Sequence, residues 1–470
     1  MNYKPVTIKL LLLTFFLFTY AFCDAQSSKG ISLWLTNTDK SSLFEKQKSS
    51  PVFSQKESTG LVIEINEKQK YQSIDGFGFT LTGGSAGHLA KMTAKNRAAL
   101  LKELFSIDGN NIGISYLRIS IGASDLDETV FSYDDLPKGL TDTKLEKFNL
   151  GPDRKNLIPV LKEILLINPK IKILGSPWSP PAWMKDNEDT RGGSLKPEFY
   201  TIYAKYLARY IQEMKKEGIR IDAITVQNEP LHPGNNPSLL MLAEDQAIFV
   251  KNNLGPEFKA ERIDTKIIIY DHNADKPDYP ISILNDPEAK KYIDGSAFHL
   301  YAGKIEALSE VHSAHPDKNL YFTEQWMGGP GNFEKDFPDH VKKLTIGSTR
   351  NWSRTVLEWN LSSDPDYKPF TDRGGCNKCL GGITIDKDVV TRNPAYYVVA
   401  HAAKFVRPGS VRIASNYSDQ LLNVAFKTAE GKKVLIVLND TKTAQTFSIK
   451  DGKNVAESTL KPGSVGTYVW

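Results

Sequence analysis

Asp222-Ala223-Ile224-Thr225-Val226, running on into Gln227-Asn228-Glu229-Pro230, and Lys266-Ile267-Ile268-Ile269-Tyr270 decide the fold class. Each run is apolar and β-branched almost throughout, without the in-and-out alternation of a half-buried strand. A strand written this way is covered on both faces, as in a parallel sheet packed under helices. Runs of the same kind occur at 74–81, 115–121, 171–177, 223–228, 266–271, 296–301, 320–323 and 354–359. Between them, stretches such as 93–105, 156–167 and 196–216, the last with Pro197 near its start, repeat apolar residues at three and four spacing and predict amphipathic helices. Strand, helix, strand repeated eight times predicts a (β/α)8 TIM barrel over residues 73–405.

Both ends of the chain read differently. Short alternating runs at 421–427, 433–438, 445–449 and 466–470 are broken by Asn-Asp, Asp-Gly and Pro-Gly turns, and runs 31–35 and 61–66 have the same character. An attached β-sandwich built from both termini is expected, from residues 26–72 and 406–470, with the polar stretch 37–56 as a loop. Residues 1–25 read as a secretory signal peptide. Lys4 and Lys9 precede an apolar run of about 13 residues, too short to span a bilayer as a stable anchor. Cys23 and Ala25 suit cleavage before Gln26; the alternative is an outer-membrane lipoprotein anchored by acylation of Cys23. The expected location is periplasmic or extracellular.

The 470 residues are 40% hydrophobic and 24% charged, which suits a globular protein and argues against disorder. Fifty-nine basic residues against 55 acidic ones give +4, spread without a basic run, so no nucleic-acid partner is expected. Cys376 and Cys379 form a C-x-x-C that could be half a zinc site, a redox pair or a local disulfide. The eight His are scattered and no second ligand pair accompanies the motif, so in an exported chain the disulfide is favoured and no metal is expected. Gly-rich Phe77-Gly78-Phe79 and Thr82-Gly83-Gly84 match no dinucleotide or phosphate loop, and no cofactor is expected.

In a barrel the C-terminal strand ends carry the chemistry. Strand four ends in Asn228-Glu229-Pro230 and strand seven in Thr323-Glu324-Gln325-Trp326, which sends two carboxyls into one mouth. Glycoside hydrolysis needs that pair, one to protonate the leaving oxygen and one to attack or to activate water. A lone strand-end Glu is as often a salt-bridge partner. Here Trp178, Trp183, Tyr301, Trp326 and Trp359 also fall at strand ends, where flat rings can stack on sugars. Arg118, Asp125, Asn228, His272 and His299 add donors and acceptors for hydroxyls.

The motifs Ile74-Asp75-Gly76-Phe77-Gly78, Leu117-Arg118-Ile119-Ser120, Ser176-Pro177-Trp178-Ser179-Pro180-Pro181-Ala182-Trp183, Val226-Gln227-Asn228-Glu229-Pro230, Phe298-His299-Leu300-Tyr301, Phe322-Thr323-Glu324 and Glu358-Trp359-Asn360-Leu361 occur in this order. In them the chain resembles glycoside hydrolase family 30, related to glucosylceramidases and to bacterial and fungal β-1,6-glucanases. The resemblance implies a retaining mechanism with Glu229 as acid/base and Glu324 as nucleophile. It also implies a sugar subsite at Asp125, Trp178, Asn228, Tyr301 and Trp359. Residues 372–379 and Tyr396-Tyr397-Val398-Val399-Ala400-His401 resemble the β-1,6-glucanase branch, so the expected substrate is β-1,6-glucan. The alternatives are a β-glucosidase, β-xylosidase or glucosylceramidase of the same family, or a non-catalytic glycan-binding relative.

Overall fold

The computed structural model describes residues 1–3, 30–57 and 60–470. Apart from its first three residues, the expected leader, Cys23 included, lies outside the described residues. Eight parallel strands close into a barrel: β1 (Gly76–Thr80), β2 (Tyr116–Ile121), β3 (Lys172–Pro177), β4 (Ala223–Thr225), β5 (Lys266–Ala274), β6 (Ile293–Gly303), β7 (Asn319–Glu324) and β8 (Ser353–Asn360), which pairs back onto β1. All eight expected runs are strands. β4 is shorter than its run, but the chain beyond it stays bonded, with Val226 N–H donating to Ile268 O at 3.0 Å and Glu229 N–H to Asp271 O at 3.0 Å.

The barrel is filled in layers. Tyr116, Leu174, Ala223, Ile268, Ala297, Tyr321 and Leu357, one from each of β2 to β8, make an apolar plug. Above it the inward side chains turn polar. Outside, helices such as Ala94–Phe105, Leu157–Ile167 and Tyr200–Lys216 lay their apolar stripes on the strands. The last of these begins later than its expected 196: Pro197, with no N–H to give, sits in a separate 3₁₀ turn, Pro197–Phe199.

The terminal strands make one continuous nine-stranded sheet that wraps over a second core. Its order is Leu43–Lys46, Ser32–Thr36, Val465–Val469, Lys433–Asn439, Leu421–Lys427, Val411–Ser415, Leu61–Ser73, Gln445–Asp451, Asn454–Leu460. The central strand Lys433–Asn439 is buried on both sides. Leu435 and Val437 point into the sandwich core, and Val434, Ile436 and Leu438 into the core shared with the barrel.

One expectation fails here. The stretch 37–56 is not all loop, because Leu43–Lys46 pairs with Ser32–Thr36. Phe44 is buried there at φ 53°, its ring centroid 4.9 Å from that of Trp34. Four residues are too few to display an alternation, and the pairing is dictated by the neighbouring strand and the aromatic contact.

The helix Pro394–Ala403 joins the two units. Its His401 is fully buried, with Nδ1 2.9 Å from Thr467 Oγ1 and Nε2 2.8 Å from Thr36 Oγ1, one partner from each end of the chain. Burial pushes this imidazole down to about 3, so it is neutral in the folded protein. Because the folded value is the lower one, its stabilisation is present above the ordinary imidazole range and declines as pH falls through it. His401→Ala leaves two buried hydroxyls each with one partner fewer and opens a cavity. It should cost about 2–4 kcal/mol, seen as a melting temperature lowered by several degrees at pH 7.5, with a smaller difference from wild type at pH 5.

Candidate active site

The polar layer above the plug is organised by one carboxylate. Asp271, on β5, is fully buried, and its Oδ2 accepts from Arg118 at 2.8 Å. Ser176 Oγ and Thr225 Oγ1 each lie 2.8 Å from the same oxygen and 2.6 Å from each other, so two hydroxyl protons serve three contacts. Oδ1 accepts from Thr323 Oγ1 at 2.6 Å and lies 3.1 Å from His299 Nε2. Burial opposes the Asp271 charge, but Arg118 and His299 outweigh it and hold the carboxyl well below its ordinary range. A bulge aims it: Tyr270 and Asp271 both have left-handed backbone, φ 71° and 65°, where the pairing of β5 with β6 shifts register.

Arg118 and His299 carry that anchoring up to the two glutamates. The Arg118 guanidinium also donates to Asn228 Oδ1 at 2.6 Å and to Glu324 Oε2 at 2.5 Å. Tyr301 O–H donates to Glu324 Oε1 at 2.9 Å. His299 Nδ1 is 3.1 Å from Glu229 Oε1 and 3.7 Å from Glu324 Oε1. Glu229, itself at φ 44°, accepts a long 3.4 Å contact from Asn235. One oxygen of each glutamate lies within 4.8 Å of the other, the spacing that suits direct attack on a bound sugar, whereas an intervening water needs roughly 6.5–9.5 Å between carboxyls. Glu229, His299 and Glu324 also converge as three donors that could hold a cation. Their lone pairs are engaged with one another and with Arg118, which suits them to moving a proton instead.

Burial opposes the His299 cation, but the charges of Glu324, Asp271 and Glu229 raise it to about 9. With that proton on His299, burial and the histidine cation compete at Glu229 and leave it below its ordinary range, while burial and the Glu229 charge hold Glu324 above its own. The hydrogen-bond partners of the two differ, and Glu229 faces an imidazole across 3.1 Å. Glu324 is held by a guanidinium that keeps its protons and by a tyrosine.

A cavity of about 360 Å³ opens over the pair. Asp125, Trp178, Trp359 and Trp326 line it together with the bonded cysteines Cys376 and Cys379. Trp178 and Trp359 stack at 5.4 Å, with the Arg118 guanidinium 4.7 Å from the centre of the Trp178 ring. The Asp125 carbonyl accepts from Thr371 N–H at 2.9 Å, and burial together with the charges of Glu324 and Glu229 pushes its carboxyl up to about 8. It is therefore a hydroxyl donor near neutral pH. The disulfide loop also pairs Cys379 with Gly328, and any Cβ at Gly375 would meet Thr371 backbone atoms at 2.4 and 2.5 Å. A larger cavity of about 730 Å³, between His88, Glu128, Phe370 and Ile385, contains neither glutamate.

The structure thus brings Glu229, Glu324, Asp125, Trp178, Tyr301, Trp326 and Trp359 to one cavity. Arg118 and His299 are fully buried among the carboxyls below the cavity lining, and Asn228, 4% exposed beside them, accepts from Arg118 through Oδ1. Trp183 is also elsewhere, packed edge-on against Phe199 with Nε1 donating to Asp134 O at 2.9 Å. Asp271, His232, Asn235 and Asn273 were not singled out in the sequence. Asp271 ends a strand run, but strict alternation from the inward Ile268 would point it outward; the other three belong to loops or strand ends whose direction no periodicity reveals.

Among known families, residues 74–406 match the glycosyl hydrolase family 30 TIM-barrel domain and residues 409–468 the family 30 β-sandwich domain. The chain is 34% identical to an endo-1,6-β-D-glucanase of Neurospora crassa over 81% of each chain. It is 28% identical to the mouse lysosomal acid glucosylceramidase, over 88% of this chain and 84% of that one. The solved endo-β-1,6-glucanase BT3312 superimposes with a TM-score of 0.87 at 34% identity, covering 94% of this chain and 99% of that one.

Asp271→Asn keeps the shape of the hub and removes its charge. The variant should lose about 10²-fold or more in kcat, as when a single preorganised electrostatic partner is removed. With less negative charge beside it, His299 releases its proton more readily, so the basic limb of the kcat/KM profile should move to lower pH. A pH–rate series on wild type and variant checks both.

Proposed function

The chain belongs to glycosyl hydrolase family 30, and from that premise we propose that it is an exported, retaining endo-β-1,6-glucanase working by double displacement. The observation that carries the reaction is the approach of Glu229 and Glu324 to within 4.8 Å across a cavity lined by tryptophans. Glu324 attacks the anomeric carbon while Glu229 gives its proton to the departing oxygen. The glycosyl ester that forms removes the Glu324 charge, and with it part of the field that kept protons on Glu229 and His299. Glu229 then acts as base toward water. Tyr301 and Arg118 hold the attacking carboxylate, and the protonated Asp125 offers a hydrogen bond to a sugar hydroxyl.

β-1,6-Glucan as substrate is supported by the endo-1,6-glucanases to which the chain is similar at 34% identity. Export is supported by the sequence pattern of residues 1–25 and by the Cys376–Cys379 bond, which an oxidising compartment maintains. Incubation with β-1,6-glucan, β-1,3-glucan, xylan and glucosylceramide should yield short gentio-oligosaccharides from the first alone. Proton NMR during the first turnovers should show the β anomer. Glucose as the sole early product would contradict endo action, an α anomer would contradict retention, and turnover of glucosylceramide in preference to glucan would favour the lipid hydrolase reading.

A further inference from the structure

The cavity has two unlike walls. Trp178, Trp359 and Trp326 present aromatic carbon on one side. Around Glu229 the wall is polar: His272, Asn273, His232 and Asn235, two imidazoles and two carboxamides. Asn235 reaches Glu229 Oε2, and the His232 N–H donates to the Glu229 carbonyl at 2.8 Å. An acid delivers its proton only to an oxygen within hydrogen-bond reach. The departing half of the substrate must therefore sit against this polar wall.

His272 is the telling residue. It follows the Asp271 bulge on β5, is buried with 7% of its surface exposed, and lines the cavity, yet neither ring nitrogen has a hydrogen-bond partner among the described residues: Nδ1 is closed off from water, and Nε2 keeps contact with it. Buried imidazoles are nearly always paired, and the cavity that this one lines is where a partner for Nε2 would arrive. Burial pushes the imidazole down to about 4, so near neutral pH one ring nitrogen donates and the other accepts, as a hydroxyl requires. Beside it, the Asn273 carboxamide is fixed by its Oδ1 accepting from Tyr301 N–H at 3.0 Å.

We infer that His272, supported by Asn273, binds a hydroxyl of the departing sugar and so selects a carbohydrate leaving group over an alkyl or lipid one. The inference rests on the glucanase reading and adds the residue that enforces it. An apolar leaving group would cover these atoms without pairing them, and sites built to hydrogen-bond a hydroxyl discriminate strongly against partners that lack it.

The test compares two substrates that fill the glycone side alike. Gentiotriose offers glucose to the polar wall, and 4-nitrophenyl β-gentiobioside offers an aryl ring. His272→Ala should lower kcat/KM on gentiotriose at least tenfold more than on the aryl gentiobioside, and His272→Gln, which keeps a donor and an acceptor, should recover most of the difference. Matching melting temperatures for the variants would separate this from a folding defect; if His272→Ala does not fold, the comparison is made with Asn273→Ala. Equal losses on the two substrates, or none, in an enzyme whose wild type cleaves gentiotriose would overturn the inference alone. A wild type inert on gentiotriose and on β-1,6-glucan would overturn the glucanase reading and the inference with it.

Discussion

A single buried carboxylate, Asp271, ties six of the eight barrel strands together. It sits on β5 and meets Arg118 from β2, Ser176 from β3, Thr225 from β4, His299 from β6 and Thr323 from β7. A charge with no exposure to water is sustained only when its lone pairs are filled, and removing one partner of such a set costs far more than the set contributes as a whole. The two groups that neutralise it also touch the glutamates, Arg118 at Glu324 and His299 at Glu229. The electrostatic requirement of the barrel interior and the positioning of the two glutamates are one network, built on the apolar plug and capped by the tryptophan-lined cavity.

That network separates two chemically identical side chains. Glu324 meets donors whose protons are fixed or reluctant to leave, a guanidinium and a phenol. Glu229 meets an imidazole that can lend and recover one. The walls above divide along the same line. The loop that carries the disulfide holds Asp125 through the Thr371 amide on the tryptophan side, and His272 and Asn273 line the other.

The barrel was legible because parallel strands buried on both faces write unbroken apolar runs, and the helices between them write a separate period. The glutamates were legible because a strand-end position in a barrel has only one mouth to face. What the sequence concealed lies where the periods break. Ile267 and Ile269 face outward and Ile268 inward, as alternation requires, but Tyr270 then stays outward and Asp271 turns in, a bulge that apolar patterning cannot announce. Arg118 was recognised as a site residue without its depth, since a long cation at a strand end can equally reach up to a sugar or across to a carboxylate. Trp183, only five residues beyond Trp178, swings out under the helix ending at Lys216, and the four-residue strand Leu43–Lys46 is too short to have a period.

In the proposed mechanism the network keeps Glu324 ionised and shares one proton between His299 and Glu229. Neutron diffraction from deuterium-exchanged crystals of the free enzyme near pH 6 reads this directly. That arrangement places one deuteron on His299 Nε2 facing Asp271, a second on the line between His299 Nδ1 and Glu229 Oε1, and none on Glu324. A deuteron on Glu324, with the Glu229–His299 contact bare, would contradict it.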